Sequence, residues 1–288
     1  MPRSFLLIAT FATVLLVGSI DVHPARAGAW MRGPGHGYAK VAVVWVHADE
    51  RLGADGGSTA MPADGHFNDA GIAVYTELGL LRHLDVVLAT SLKRITVRDD
   101  TSIDVSTAGL ADLQVDARLG ALRAGPVLTA VIAGVKLPTG YRSDDTPPLG
   151  TGAVDGRLRI VASGGWPRPF PGYLSGEVGY RWRGDLADDV DYLVELGVGP
   201  GESAGFGAGA WLRVKLEGVD SRGARHLDPA IAPELTSREE DFVKVGPELS
   251  WPLDREATFT LEVGARWVVD GKNTIASRDL IFGVASVF

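Results

Sequence analysis

The chain ends in the stretch Leu280-Ile-Phe-Gly-Val-Ala-Ser-Val-Phe288, which contains no charged residue. Leu280, Phe282, Val284 and Phe288 all lie at even-numbered positions. Because successive side chains of a β-strand point to opposite faces, these four residues share one face. The stretch therefore predicts a strand with one large apolar face at the end of the chain.

A terminal strand that closes on an aromatic residue resembles the signature that outer-membrane barrels of Gram-negative bacteria present to their assembly machinery. The resemblance implies that Phe282, Val284 and Phe288 form an assembly signal. It also implies two partners, the barrel-assembly machinery and the lipid of the outer membrane.

The same alternation runs through the rest of the chain. Segments of about ten to fourteen residues carry apolar side chains at alternate positions, a pattern typical of strands, and turns or loops separate them. About twelve such segments follow one another from residue 37 onward: 37–48, 67–79, 84–97, 109–120, 126–138, 153–164, 173–184, 191–199, 205–217, 242–251, 257–269 and 275–288.

Each segment has one apolar and one polar face. In 205–217, Leu212 and Leu216 share a face, whereas Arg213, Lys215 and Glu217 share the other. One face suits lipid and the other suits a polar interior. The connections alternate between long and short, as in a transmembrane barrel whose long loops are extracellular and whose turns are periplasmic.

In a soluble β-sandwich the apolar faces would instead form a core between two sheets. The segments are longer than the roughly 5–6 residues usual in soluble sheets, and their apolar positions hold many small residues that fill a core poorly. We therefore predict an all-β protein, an up-and-down antiparallel transmembrane β-barrel of about 12 strands. Aromatic residues near strand ends are candidates for its interfacial girdles: Tyr38, Trp166, Tyr173, Trp182, Trp251 and Trp267.

The N-terminal residues have the features of a secretory signal peptide. Arg3 precedes the uncharged stretch 5–20, and Ala25-Arg26-Ala27 forms a small-residue cleavage site. The uncharged stretch is shorter than the roughly 20 residues of a spanning helix, which disfavours an anchor. We expect residues 1–27 to be removed and residues 28–288 to form the barrel, exported through the inner membrane to the bacterial outer membrane.

Composition excludes several classes of function. The 288 residues carry a formal charge of −8 without a basic block, so nucleic acid is not an expected partner. With no cysteine, thiolate chemistry and cysteine metal sites are excluded. The histidines lack a metal-binding spacing, and neither a cofactor nor a metal is expected.

The polar faces carry charges of both signs, which are the candidate lumen-lining residues. A lumen of about twelve strands is narrow, so such charges either line a small polar pore or fill it with ion pairs. Both interpretations remain open from sequence. The candidates are Lys93, Asp112, Asp116, Arg118, Lys136, Asp155, Arg157, Arg159, Glu177, Arg181, Arg183, Glu195, Arg213, Lys215, Lys244, Glu248, Glu262 and Arg266.

Several short motifs resemble a family of Gram-negative outer-membrane transporters labelled "MetA-pathway of phenol degradation". The most specific are Lys136-Leu-Pro-Thr-Gly140 and Gly150-Thr-Gly152. The complete set is Gly37-Tyr-Ala-Lys-Val, Tyr75-Thr-Glu-Leu-Gly-Leu, Gly109-Leu-Ala-Asp-Leu, Val135-Lys-Leu-Pro-Thr-Gly-Tyr141 and Leu149-Gly-Thr-Gly-Ala-Val-Asp155. The resemblance implies a non-enzymatic channel or transporter for passive passage or uptake of small solutes, including hydrophobic or aromatic compounds.

Two other functions are compatible with a barrel. A lumen filled by ion pairs would suit a structural or adhesive role for the outer loops. A lipid hydrolase at the rim would need a nucleophile and a base, for which His47 with Ser58 or Thr59, or His66 across the same loop, is the candidate set. The loop acids Asp99-Asp100, Asp144-Asp145 and Asp188-Asp189 with Asp191 are candidate Ca²⁺ ligands.

Overall fold

The computed structural model describes residues 28–61, 65–98, 105–142, 145, 147–184, 187–199, 210–222 and 240–288. The predicted signal peptide, 1–27, lies outside the described residues, as do 205–209 of a predicted strand and most of the loop 218–241. The candidate Ca²⁺ ligands Asp99, Asp100 and Asp144 lie outside them too.

The described chain is built of strands, in agreement with the predicted fold class. They are β1 (Gly37–Ala48), β2 (Glu50–Leu52), β3 (Ser58–Ala60), β4 (His66–Leu81), β5 (Leu84–Arg98), β6 (Val105–Leu110), β7 (Leu113–Ala124), β8 (Val127–Leu137), β9 (Asp155–Trp166), β10 (Gly172–Arg183), β11 (Asp188–Val198), β12 (Trp211–Arg222), β13 (Asp241–Pro252), β14 (Phe259–Lys272), β15 (Thr274–Ile275) and β16 (Arg278–Val287).

The large sheet closes into a barrel. Its pairing order is β4-β1-β16-β14-β13-β12-β11-β10-β9-β8-β7-β5-β6, and β4 also pairs with β5. β6 and β7 both pair with β5 and are successive pieces of one wall strand, so the 13-stranded sheet forms a wall of twelve strands. All pairs in the wall are antiparallel, and ring closure satisfies the edges, as lipid requires.

The two ends of the barrel differ. Gly37 and Phe288 lie at one end, here called the terminal end, where they exchange backbone hydrogen bonds of 2.7 and 3.1 Å. The opposite, or loop, end carries the connections 49–65 and 138–154. The connections 184–187 and 273–277 also lie there but are short, so the predicted alternation of long and short connections is wrong at these points. In 273–277, β15 pairs with β2 of the first loop, which holds this connection close to the rim.

Most strand boundaries lie within three residues of the predicted segments. The predicted strand 109–120 is instead divided between β6 and β7, and the short strands β2, β3 and β15 were not predicted. The predicted strand 205–217 lies instead at Trp211–Arg222. Its neighbour β11 fixes the position, because Leu212 pairs with Val198 and Arg222 pairs with Asp188. Alternation within a single segment does not reveal where its neighbour ends, which is why the predicted boundary is wrong.

The outer face is apolar. Val43, Leu92 and Ile160 are each more than half exposed along the middle of their strands, as expected of a surface that contacts lipid. No helix among the described residues is long and apolar enough to cross a membrane.

The predicted aromatic girdle is correct only in part. Trp182, Trp251 and Trp267 are exposed on the outer face. Tyr38 and Tyr173, by contrast, are buried inside the barrel, where they lie on the same strand faces as inward charges. A position near the end of a strand is therefore not enough to place an aromatic residue in the girdle. Because side chains alternate between the two faces of a strand, the residue must also lie on the outward face.

Candidate solute pathway

The polar faces of the wall strands meet inside the barrel. Each of the eighteen lumen-lining candidates takes part in an ion pair there. The structure adds further charged partners that the sequence reasoning did not place in the lumen: Arg32, Lys40, Asp69, Glu77, Asp85, Asp189, Asp191, Glu217 and Asp279. Strand alternation is the signal that could have identified most of them, because their parity matches that of the inward charges on the same strands.

One cluster of ion pairs centres on Glu77 of β4. Its carboxylate is 1% exposed and accepts hydrogen bonds from Arg118 at 2.9 and 3.1 Å. Arg32 Nε donates to it at 2.6 Å, and the Tyr75 hydroxyl donates at 2.5 Å. The carboxylate is therefore fully satisfied, as a buried charge must be to avoid a large desolvation penalty.

A second cluster joins β1 to the part of the ring near β12. Arg213 Nη2 donates to Glu262 Oε1 at 2.6 Å and lies 3.0 Å from Glu248 Oε1. Glu262 also pairs with Lys40, and Glu248 pairs with Lys215 at 3.2 Å. The result is a continuous band of alternating charge along the inner wall.

Inward glycines decide which charges meet. Gly134 of β8 stands between Asp116 of β7 and Arg157 of β9 in the same cross-strand row. A Cβ on Gly134 would collide with the Asp116 carboxylate. Without it, Arg157 Nε reaches across β8 to Asp116 at 2.8 Å.

The same arrangement recurs one step around the ring. Gly179 of β10 separates Arg159 of β9 from Asp191 of β11, and a Cβ there would lie 2.8 Å from Asp191 Oδ1. Arg159 pairs with Asp191 past this glycine and with Glu177 at 3.5 Å. The glycines thus make room for ion pairs that lie flat along the wall.

The inner ion pairs follow the wall. Among the described residues, they join strands that are neighbours or near neighbours in the ring. The pair that joins the most widely separated strands is Lys40–Glu248, between β1 and β13, with 3.9 Å between Lys40 Nζ and Glu248 Oε2. A cavity of about 420 Å³ lies inside the ring, lined by residues of β1, β4, β5, β7–β12, β14 and β16. The charges line a space rather than filling it.

Residues 28–36 cross the terminal end of the barrel from the inside. Ala29 N donates to Ser163 Oγ of β9 at 2.9 Å, whereas the segment enters β1 on the far side of the ring. Along the way, Arg32 N donates to Asp85 at 3.0 Å. Gly79 N donates to His36 O at 2.9 Å, which fixes the segment beside β4.

Apolar and aromatic contacts add to this anchoring. Ala29 is buried in a small cluster with Ala130 and Val161 on the inner face. Trp30 meets Tyr173 edge to face, with ring centroids 5.5 Å apart, and Tyr173 contacts Trp211 at the same distance. The segment therefore narrows the terminal end, and the sequence analysis did not predict it because its residues show no strand alternation.

The most specific motif of the sequence lies at the loop end. The Tyr141 hydroxyl bonds the Asp112 carboxylate, and Gly152 N donates to the same hydroxyl at 2.8 Å. Lys136 Nζ lies 3.0 Å from Asp112 and 2.8 Å from Asp155. Burial and the neighbouring Asp112 carboxylate raise the pKa of Tyr141. The motif builds the rim where the wall strand breaks between β6 and β7.

The candidate hydrolase residues do not assemble into a nucleophile–base pair. Ser58 donates to Glu50, while His47 contacts Asn68 at 2.9 Å and Asp49 at 3.0 Å. His66 lies 6.0 Å from His47 between ring centroids. Within the described residues, no Ser–His contact of the kind that activates a serine is formed.

The described candidate Ca²⁺ ligands of β11 are used in ion pairs and hydrogen bonds. Asp189 pairs with Arg181 at 2.6 Å, Asp191 pairs with Arg159, and Asp188 accepts from the Tyr180 hydroxyl at 2.9 Å. In the described part of the chain, no group of three or more His, Asp or Glu side chains could hold a metal ion.

Comparisons with known proteins agree on the fold. No family profile matches the chain, and no curated protein matches its sequence. Among solved structures, the chain is similar to the COG4313 outer membrane channel from Pseudomonas putida F1, with a TM-score of 0.67 and 17% identity over 93% of this chain and 100% of that one. At this identity the likeness shows a shared fold alone.

Two other solved structures match with lower scores. The KdgM porin has a TM-score of 0.44 and 10% identity over 86% of this chain and 99% of its own. The translocator domain of the autotransporter NalP from Neisseria meningitidis has a TM-score of 0.44 and 11% identity over 88% of each chain. The structural comparison therefore rests on the Pseudomonas putida channel, whose fold this chain shares.

Proposed function

We propose that this protein is an outer-membrane channel for the passive passage of small solutes. The observation that carries the proposal is the cavity of about 420 Å³ inside the ring, bounded by inner ion pairs that run along the wall. In the mechanism, solutes move down their gradient and are selected by size and charge at the inward Arg, Lys, Asp and Glu side chains. No energy source, cofactor or enzymatic step is part of this mechanism.

The terminal end is the controlling part of the pathway in this proposal. Residues 28–36 cross it, held by hydrogen bonds of Ala29, Arg32 and Gly35 and by the contact of Trp30 with Tyr173. Each hydrogen bond is worth about 0.5–1.5 kcal/mol, or about 1.5–3 kcal/mol where a charge takes part. Displacement of the segment toward the periplasm would widen the exit without disturbing the wall.

The apolar outer face and the shared fold with an outer-membrane channel support a location in the bacterial outer membrane. The loop end then faces the outside, and the terminal end faces the periplasm. Cleavage after Ala27 and recognition of Phe282, Val284 and Phe288 by the assembly machinery belong to the same proposal, as does contact with outer-membrane lipid.

The ionic inner wall supports polar solutes as cargo. The family that the sequence resembles suggests hydrophobic or aromatic compounds, and we place that family label among the proposals because the comparison with solved structures supports only the channel fold. Within the described residues, the cavity is lined on several strands by charged side chains such as Arg159, Glu177 and Lys215.

A closed structural or adhesive barrel is the second candidate, favoured by the segment 28–36 across the terminal end. The two candidates differ in conductance. Purified protein is first shown to be folded by heat-modifiable migration on a denaturing gel, and planar-bilayer recordings are then made on the same sample.

Arg32→Ala removes the side chain that ties the segment to Glu77, and Arg255→Ala in the exposed turn after β13 is the matched control. A channel predicts discrete conductance steps that become larger or more frequent in Arg32→Ala only. Folded wild type and Arg32→Ala that both leave the bilayer at its bare conductance would reject the channel and support the closed barrel.

A further inference from the structure

The two members of an inner ion pair are unequally exposed. In most of these pairs the basic side chain is more exposed than the acidic one. The side chain of Lys215 is 14% exposed beside Glu195 at 1%, and that of Lys40 is 16% exposed beside Glu262 at 1%. The long Lys and Arg side chains reach beyond the shorter acids, so near-equal numbers of charges do not give a neutral surface.

This asymmetry holds almost throughout the described inner wall. In each inner ion pair except Arg266–Glu217, the basic side chain is more exposed than the acidic one. The cavity lining agrees, because it contains eight basic residues, Arg32, Lys40, Arg118, Arg157, Arg159, Arg213, Lys215 and Arg266. It contains five acidic residues, Glu77, Asp116, Glu177, Glu262 and Asp279.

We propose that the lumen is selective for small oxyanions, namely solutes that carry a carboxylate or phosphate group. This inference rests on the proposed channel function and specifies its cargo. Exposed guanidinium and ammonium groups raise the local concentration of anions and lower that of cations. Guanidinium groups also bind carboxylate and phosphate oxygens through paired N–H donors.

The test changes one charge at a time. Arg159→Gln removes a cavity-lining cation that is 25% exposed, and Glu177→Gln removes the acid beside it. Arg94→Gln removes an exposed arginine from the outer face of β5 and is the matched control. The anion-to-cation permeability ratio is measured from the reversal potential in a KCl gradient.

Wild type is expected to prefer chloride over potassium. A unit charge about 5 Å away changes the local concentration of an ion by about fourfold even at the dielectric constant of water. The ratio should therefore fall by at least about fourfold in Arg159→Gln, rise in Glu177→Gln and stay constant in Arg94→Gln. A cation-selective wild type, or an equal ratio in all four proteins, would overturn the proposal while leaving the channel function intact.

A binding measurement separates this inference from the channel function. The thermal unfolding midpoint of the detergent-solubilised protein is recorded with sodium benzoate, with inorganic phosphate and, as the cationic probe, with tetramethylammonium chloride. Stabilisation by either oxyanion that disappears in Arg159→Gln supports the inference even if no conductance is seen, and the stronger of the two identifies the preferred group. No stabilisation by either oxyanion, together with no anion preference, rejects it.

Discussion

Gly79→Ala is expected to release the segment that crosses the terminal end of the barrel. Gly79 faces inward on β4, and a Cβ there would collide with the carbonyl oxygen of Gly33 and lie 2.6 Å from its carbonyl carbon. Backbone atoms cannot rotate out of the way as a side chain can. The added methyl therefore acts on the position of residues 28–36 and leaves the pairing of β4 with β1 and β5 in place.

Two backbone hydrogen bonds hold the docked segment to β4. Gly35 N donates to Gly79 O at 3.0 Å and Gly79 N donates to His36 O at 2.9 Å, and each bond is worth about 1 kcal/mol. The added methyl penalises only the docked state, by about 1–3 kcal/mol of overpacking. A penalty of about 2 kcal/mol shifts the docking equilibrium about 30-fold toward the released state, because 1.4 kcal/mol is a factor of about 10.

Two measurements follow the release. The chain contains no cysteine, so Ala29→Cys is a unique thiol whose rate of maleimide labelling reports whether the buried N-terminal segment has come out. Bilayer conductance is recorded on the same variants. Gly156→Ala is the control, because its Cβ meets nothing closer than Trp182 Cε3 at 3.8 Å.

In the Gly79→Ala background we expect labelling at least about tenfold faster and larger conductance steps, with no change in the control. Faster labelling without a change in conductance would show that the segment leaves the lumen but does not limit passage. Labelling and conductance equal to those of the control would refute the reasoning that this close approach holds the segment.

Three substitutions test the wall itself. Glu262→Gln leaves Glu248 as the one carboxylate paired with Arg213 and Lys40 among the described residues. Because breaking a buried pair costs up to about 3–5 kcal/mol, the urea midpoint of the detergent-solubilised barrel should fall, and an unchanged midpoint would contradict the pairing. Ile160→Lys places a charge on the outer face in mid-strand, where lipid contact predicts a loss of about 2–4 kcal/mol and little heat-modifiable protein, whereas normal yield would argue against lipid there. Phe288→Ala removes the terminal ring and should slow assembly into lipid vesicles, and an unchanged rate would exclude that ring from the assembly signal.

The fold was predictable because strand alternation is a local property of the chain. Residues 153–164 assign Arg157 and Arg159 to one face and Leu158 and Ile160 to the other, and the structure shows these faces inside and outside the barrel. The face on which a side chain lies follows from the sequence of its own strand and does not depend on the neighbouring strands. The start of β12 depends on its pairing with β11, which is why that boundary was predicted wrongly.

The partners inside the lumen were not predictable from sequence. Arg157 meets Asp116 because the register of three strands places Gly134 between them. Sequence alone identifies both charges but gives no register, so it leaves open whether they pair along the wall or across the axis. Residues 28–36 follow no alternation, and their contact with Ser163 on the far side of the ring carries no local signal.

The inner wall bears on the choice between a channel and a closed structural barrel. Replacing buried ion pairs by well-packed apolar side chains is often neutral or stabilising, so ion pairs such as Arg213–Glu262 are not required for a stable closed barrel. A barrel selected only for stability would fill its interior, yet a cavity of about 420 Å³ lined by charged side chains remains inside the ring. Because such a cavity has a cost in stability, it favours the proposed channel over the closed structural barrel.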